Sequence, residues 1–217
     1  MCRHMETRII LARHGLTEWN VQGRYQGRRE CGLCEQGKLE SRALASALAP
    51  VPLAAVYAGP LTRAVDTARA AAQRHGLDVT VLPGLTEICH GDWEGRLVGE
   101  VAREWGELLV RWRTAPYHVR MPGGETLAEV EERVWPAVQQ AAAGHPGRTV
   151  LVVTHDTPVR VVLKHILGLS EEGFWRLRLD NAAINEVGFA GPSGCRVLRV
   201  NDTRHLEGLP GHDQKAL

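Results

Sequence analysis

The chain has 217 residues, 44% of them apolar and 24% charged, with a formal net charge of +1. That length buries one full core, so we read a single domain with its core over about residues 7–206 and a mobile tail over about 208–217. The near-neutral balance removes any bulk electrostatic case for nucleic acid or an anionic membrane as partner. No apolar run approaches spanning length and the start lacks a secretion signal's apolar core, so a cytoplasmic location is expected.

In chain order, Ile9-Ile10-Leu11-Ala12 reads as a buried strand that delivers Arg13 and His14 at its carboxyl end. Glu35 to Leu48 is an Ala- and Leu-rich helix stopped by Pro50 and Pro52, and Leu53 to Ala58 is a second strand. Arg63 follows it, leading into a helix from Ala64 to His75 that Gly76 closes, and Val79 to Leu82 is a third strand. A loop-rich section from Pro83 to Gly95 precedes one helical stretch containing Trp105 and Trp112, which ends near Pro116. Thr126-x-x-Glu129 is a capping box. It opens a helix with the apolar stripe Leu127, Val130, Val134 and Val138, in which Pro136 predicts a kink or a break.

Thr149 to Val153 is the clearest strand and runs into Thr154-His155-Asp156, followed by a helix from Val159 to Leu167 and a short one around Glu171 to Trp175. Ala182 to Phe189 and Arg196 to Asn201 read as late strands. The alternation of strand and helix predicts an α/β protein with a largely parallel sheet. Five scattered cysteines are expected to be reduced thiols. Cys31-x-x-Cys34 is followed by no second pair of matching spacing, so no metal is expected there.

Parallel strands gather their carboxyl ends on one rim. Two arginines, Arg13 and Arg63, and two histidines, His14 and His155, therefore converge there. The cationic pocket they form is matched to a phosphate dianion, with an imidazole suited to attack phosphorus.

Arg13-His14-Gly15-x-Thr17-x-x-Asn20 resembles the signature of the histidine phosphatase superfamily, the phosphoglycerate-mutase-like enzymes, and the likeness runs from about Ile9 to about His205. Leu61-x-Arg63-Ala64-x-x-Thr67-Ala68, Glu87 six residues before Trp93-Glu94-Gly95, and Val153-Thr154-His155 extend it in order. The resemblance implies a three-layer α/β/α sandwich with a mostly parallel central sheet. It also implies catalysis by His14, Glu87, Arg13, Arg63 and His155, with Asn20, Gln26, Gly27 and His90 binding phosphate or substrate. In that reading His14 is the nucleophile and Glu87 the proton donor, neither a metal nor a cofactor is required, and the partner is a small phosphorylated metabolite, a homodimer being left open. Asp92 and Glu94 are weaker bids for the proton donor, because the Trp-Glu-Gly triplet reads as loop architecture.

The chain departs from the family pattern at Asp156, where glycine is common; we expect it to cap the following helix with Pro158 in the first turn. It also has Glu30 where many members carry aspartate and Cys34 where threonine is usual, which bears on specificity. Positions 87 and 155 lie only 68 apart, without the long insertion of the mutases, so the resemblance favours a phosphatase over a 2,3-bisphosphoglycerate-dependent phosphoglycerate mutase. A non-catalytic binding module would have lost His14 or Glu87. Within the phosphatases the chain is similar to metal-independent phosphoserine, broad-specificity and α-ribazole phosphatases. A cationic rim with His90 and His205 would suit a substrate that also carries a carboxylate. Arg28, Arg29, Trp93 and Arg113 are read as rim or core.

Overall fold

The computed structural model describes residues 6–190 and 194–210, and the expected mobile tail lies outside them from residue 211 onward. Within the described residues a six-stranded sheet is flanked by helices on both faces, in the order β3-β2-β4-β1-β5-β6. At its centre lie β1 (Thr7–Arg13) and β4 (Thr149–Thr154), paired in parallel with Arg13 opposite Thr154. Beyond β4, β2 (Leu53–Ala58) and β3 (Val79–Val81) continue the parallel run.

Four of the six strands run parallel, as expected, and β5 (Ile184–Phe189) and β6 (Cys195–Asp202) add an antiparallel edge, so the sheet is mixed. The cause is where the chain returns. The Ala182 N–H donates to the carbonyls of Arg13 and His14, so β5 starts at the carboxyl end of β1 and can only run back along it.

The central strands are apolar on both sides because both faces are covered. Ile9, Leu11, Val150 and Val152 pack against α6 (Leu127–Ala143) and α7 (Asp156–Leu167), while Ile10, Ala12, Leu151 and Val153 face α2 (Glu35–Leu48) and α3 (Thr62–His75). Toward the sheet α3 presents Ala64, Ala68, Ala71 and Ala72, whose small side chains let the backbone come close.

Four local expectations change. A short α1 (Glu18–Gln22) appears, opened by a capping box between Thr17 and Asn20. The single helical stretch before Pro116 divides at Trp105 into α4 (Val98–Glu104) and α5 (Gly106–Thr114). No break occurs at Pro136, since α6 runs on to Ala143 with Val134, Ala137, Val138 and Ala141 buried on one side, and that packing outweighs the lost hydrogen bond. The helix expected from Val159 starts at Asp156. Among the described residues no helix is long and apolar enough to cross a membrane.

Candidate active site

The carboxyl ends of β1 and β4 and the start of α3 meet at a cleft of about 480 Å³. Arg13, His14, Asn20, Gln26, Gly27, Arg63, Glu87 and His90 all line it, so eight of the nine residues expected from the sequence come together. His155 is not part of the open wall. It is fully buried, with its ring centroid 5.2 Å from that of His14.

His14 continues the strand pairing through its N–H, which donates to the Thr154 carbonyl, and its side chain is 2% exposed. Its Nδ1 lies 2.7 Å from the Gly15 carbonyl oxygen. A carbonyl only accepts, so the proton sits on Nδ1 and Nε2 keeps its lone pair. The turn that sets this geometry is tight: a Cβ on Gly15 would fall 2.5 Å from the Gly37 carbonyl oxygen, while the Gly15 N–H donates to Thr67 Oγ1 at 3.0 Å. Burial, then the charges of Arg63 and Arg13, hold the imidazole well below its ordinary value, so it is neutral.

Arg63 is fully buried in the first turn of α3, and its two terminal nitrogens donate to the carbonyls of Arg29 (2.9 Å) and Gly27 (2.7 Å). Gly27 has φ +55°, and a Cβ there would fall 2.0 Å from Glu94 Oε1, so only glycine lets this loop lie close enough. Arg13 donates from Nη1 to the Leu179 carbonyl at 2.8 Å. The Nε of each arginine and both ring nitrogens of His155 are buried with no hydrogen-bond partner among the described residues. Polar atoms in that state are costly unless a ligand meets them, and both arginines line the cleft while His155 packs against His14.

Glu87 is 8% exposed, with Oε1 accepting from the Ile88 N–H at 2.9 Å. Its place in the loop is set from α6: Arg133 donates to the carbonyls of Gly84, Thr86 and Glu87 and pairs with Glu125. Burial, then the negative charge of Asp156, raise its carboxyl above the usual range, against the Ile88 N–H, Arg63 and Arg13. Glu94 is loop architecture as expected, its Oε1 accepting from the N–H groups of Arg28 and His90.

Asn20 Oδ1 accepts from the Thr17 N–H and hydroxyl and from Asn181 Nδ2, which leaves its own amide nitrogen as the end open to the cleft. Gln26 is buried at the wall. His90 corrects the picture of a cationic rim. Enclosed by Tyr25, Trp112 and Met121, it is pushed down to about 4, chiefly by burial, and is uncharged at neutral pH. His205 does not line the cleft; its Nε2 donates to the Ala182 carbonyl. Trp93 is core, Arg28 pairs with Glu125, Arg29 contributes its carbonyl to Arg63, and the exposed Arg113 lies on the cleft wall.

Asp156 does not cap α7. His155 occupies the capping position with extended backbone, Asp156 is the first helical residue, and its carboxylate turns into the cleft toward Arg160 and Arg13. Cys34 caps α2 in the place of a hydroxyl residue, its Sγ accepting from the Gly37 N–H. Sequence reasoning missed the outer wall, where Trp19, Tyr25, Trp112 and Trp175 give the cleft aromatic sides. No local pattern separates those rings from ordinary core aromatics.

The arrangement offers an anion cup, a neutral imidazole with one free lone pair and a carboxyl group raised above its usual range, all within one cleft. The model of the Histidine phosphatase superfamily (branch 1) matches residues 9–203. The chain is 36% identical over 199 residues to phosphoserine phosphatase 1 of Hydrogenobacter thermophilus, covering 92% of this chain and 94% of that one. It is 39% identical over 205 residues to a bifunctional protein of Mycobacterium tuberculosis, covering 94% of this chain but only 56% of that longer relative. The solved structure of YhfR from Bacillus stearothermophilus superposes with a TM-score of 0.88 at 28% identity, over 93% of this chain and all of that one. Relatives named 2,3-bisphosphoglycerate-dependent phosphoglycerate mutase match as well, among them one from Bartonella henselae at 32% identity over 176 residues, 77% of this chain and 85% of that one.

Proposed function

Since this chain belongs to the histidine phosphatase superfamily, we propose that it hydrolyses small phosphomonoesters through a phosphohistidine on His14, with no metal in the reaction. The observation that carries this reading is electrostatic. In one cleft burial and two arginines hold the imidazole well below its ordinary value while burial and the charge of Asp156 raise the carboxyl of Glu87, the directions that attack and leaving-group protonation need.

In the first half, His14 Nε2 attacks phosphorus in line, the bond to the ester oxygen breaks, and that oxygen takes the proton of Glu87. The phosphoimidazole carries a positive charge, which the Gly15 carbonyl at Nδ1–H stabilises. Arg13, Arg63, His155 and Asn20 donate to the equatorial oxygens, each contributing on the order of a few kcal/mol as the transition state forms. In the second half the Glu87 carboxylate takes a proton from water, whose oxygen attacks phosphorus. Phosphate leaves and His14 is restored.

The first relative's name supports phosphoserine as one substrate, and the aromatic sides of the cleft support leaving groups larger than serine, so the substrate range is read as broad. The mutase-named relatives favour a second reading, in which the phosphoryl group passes to another phosphoglycerate instead of water. The compact stretch between Glu87 and His155 counts against it. The remaining expectations, a cytoplasmic setting and a small phosphorylated metabolite as partner, belong to this reading. A phosphomonoester panel run with and without 2,3-bisphosphoglycerate and with a chelator tests it. Release of phosphate that needs neither additive nor metal is expected. Strict dependence on bisphosphoglycerate would make the chain a mutase.

A further inference from the structure

Asp156 is the acidic residue that the chain places in the cleft where its family commonly has glycine, and its contacts are specific. Its Oδ1 lies 3.0 Å from Arg160 Nη2 and 3.6 Å from Arg13 Nη1, and Oδ2 accepts from Arg160 Nη2 and Nε at 3.2 and 3.3 Å. Arg160, which also lines the cleft, is a pillar of its wall. It is buried, donates to the carbonyls of Phe174 and Leu177, and stacks on the rings of Phe174 and Trp175 at 5.4 and 5.0 Å. The same stretch supplies the Leu179 carbonyl that holds Arg13. Asp156 is thus the common partner of the arginine that lines the anion cup and the arginine that anchors the wall beside it.

We propose that Asp156 is a positioning residue for the reaction: held between Arg160 and Arg13, its carboxylate aims the Arg13 guanidinium and sets a fixed negative charge in the cleft that the proton donor Glu87 also lines. This rests on the phosphatase reading. Aiming follows from geometry, because Nη1 of Arg13 is engaged by Leu179 and Asp156, which fixes the guanidinium plane and leaves the buried Nε for the phosphoryl oxygens. The charge effect follows from what surrounds Glu87. Arg13 on β1, Arg63 on α3 and the Ile88 N–H favour its ionised form, the imidazoles of His14, His90 and His155 are neutral, and Arg133 and Arg28 donate only to its backbone carbonyl. Asp156 on α7 opposes the two arginines. It is itself ionised, held low by Arg160 and Arg13 against its own burial. The same charge repels a phosphate dianion and so speeds release of product.

The test titrates the Glu87 carboxyl by ¹³C NMR in the full chain and measures binding of inorganic phosphate, in the native protein, Asp156→Asn and Asp156→Glu. In Asp156→Asn the Glu87 midpoint is expected to fall by about 0.5–1 pH unit. Phosphate should then bind about 3–10-fold more tightly. The alkaline limb for an alkyl phosphate should move down with Glu87, more than that for p-nitrophenyl phosphate. Asp156→Glu should return all three toward native values. If Asp156→Asn does not fold, Asp156→Asn with Arg160→Gln removes the buried cation that depends most on Asp156 and should show the same fall. A Glu87 midpoint and a phosphate affinity that ignore the charge at 156 in a folded variant overturn the proposal. Titration and phosphate binding need no turnover, so a native chain that hydrolyses nothing would sink the phosphatase reading and leave this result standing.

Discussion

The cup and the wall of the same cleft are held by different means. In the cup, main-chain carbonyls hold the polar groups: those of Gly15, Leu179, Arg29 and Gly27 meet His14, Arg13 and Arg63, and glycines at 15 and 27 sit where a Cβ would clash. In the wall, side chains rest on side chains. Trp175 meets the Trp112 ring edge-on at 5.3 Å and the Phe174 ring at 4.8 Å, while Arg113 has no ion-pair partner among the described residues. A site anchored by carbonyls keeps its shape when neighbouring side chains change, whereas a wall of stacked rings changes with every substitution. Under the phosphatase reading, chemistry belongs to the first and choice of leaving group to the second.

Substitutions that separate the two should differ in kind as well as size. His14→Ala is expected to lower kcat by about four orders of magnitude or more for every ester and to abolish acid-labile phosphoenzyme in quenched samples. Arg63→Ala, which removes buried donors, should cost about 10²–10³-fold in kcat/KM, by a similar factor for each substrate in steady-state assays. Glu87→Gln should cost about 10²-fold or more for alkyl phosphates but less than about tenfold for p-nitrophenyl phosphate, whose oxygen leaves without a proton. Equal losses would remove Glu87 as the donor.

In the native chain the raised carboxyl of Glu87 stays protonated to higher pH than an ordinary glutamate. Turnover of alkyl esters should therefore fall on the alkaline side as that proton is lost, while an NMR titration of His14 should show no midpoint near 6.5 because its imidazole is already neutral. The smallest effect belongs to the wall. Arg113→Ala should raise KM by less than about fivefold, only for substrates bearing a carboxylate, with kcat unchanged. A comparable change for p-nitrophenyl phosphate would erase the distinction between wall and cup.

The strand ends were legible in the chain itself: apolar runs that stop at Arg13 and His14, and at His155, bring those side chains to one end of the sheet, with His155 buried behind His14. Glu87 was legible only through resemblance, because a side chain 46 positions away, Arg133, fixes its loop. Strand direction was not legible, since β5 carries the same apolar content whichever way it runs. Asp156 misled because an aspartate just after a strand reads as a helix cap, yet the extended backbone of His155 had already taken that position. His90 misled for a similar reason: its charge depends on Tyr25, Trp112 and Met121, which surround it only after folding.

The most direct check is to mix the Glu87→Gln variant with ³²P-labelled phosphoserine or p-nitrophenyl phosphate, quench at alkaline pH within one turnover, and map the label by mass spectrometry. The account predicts a phosphoryl group on Nε2 of His14, lost on acidification and absent from His14→Ala. Label on another side chain, or product formed in a single turnover with His14 never modified, would contradict it.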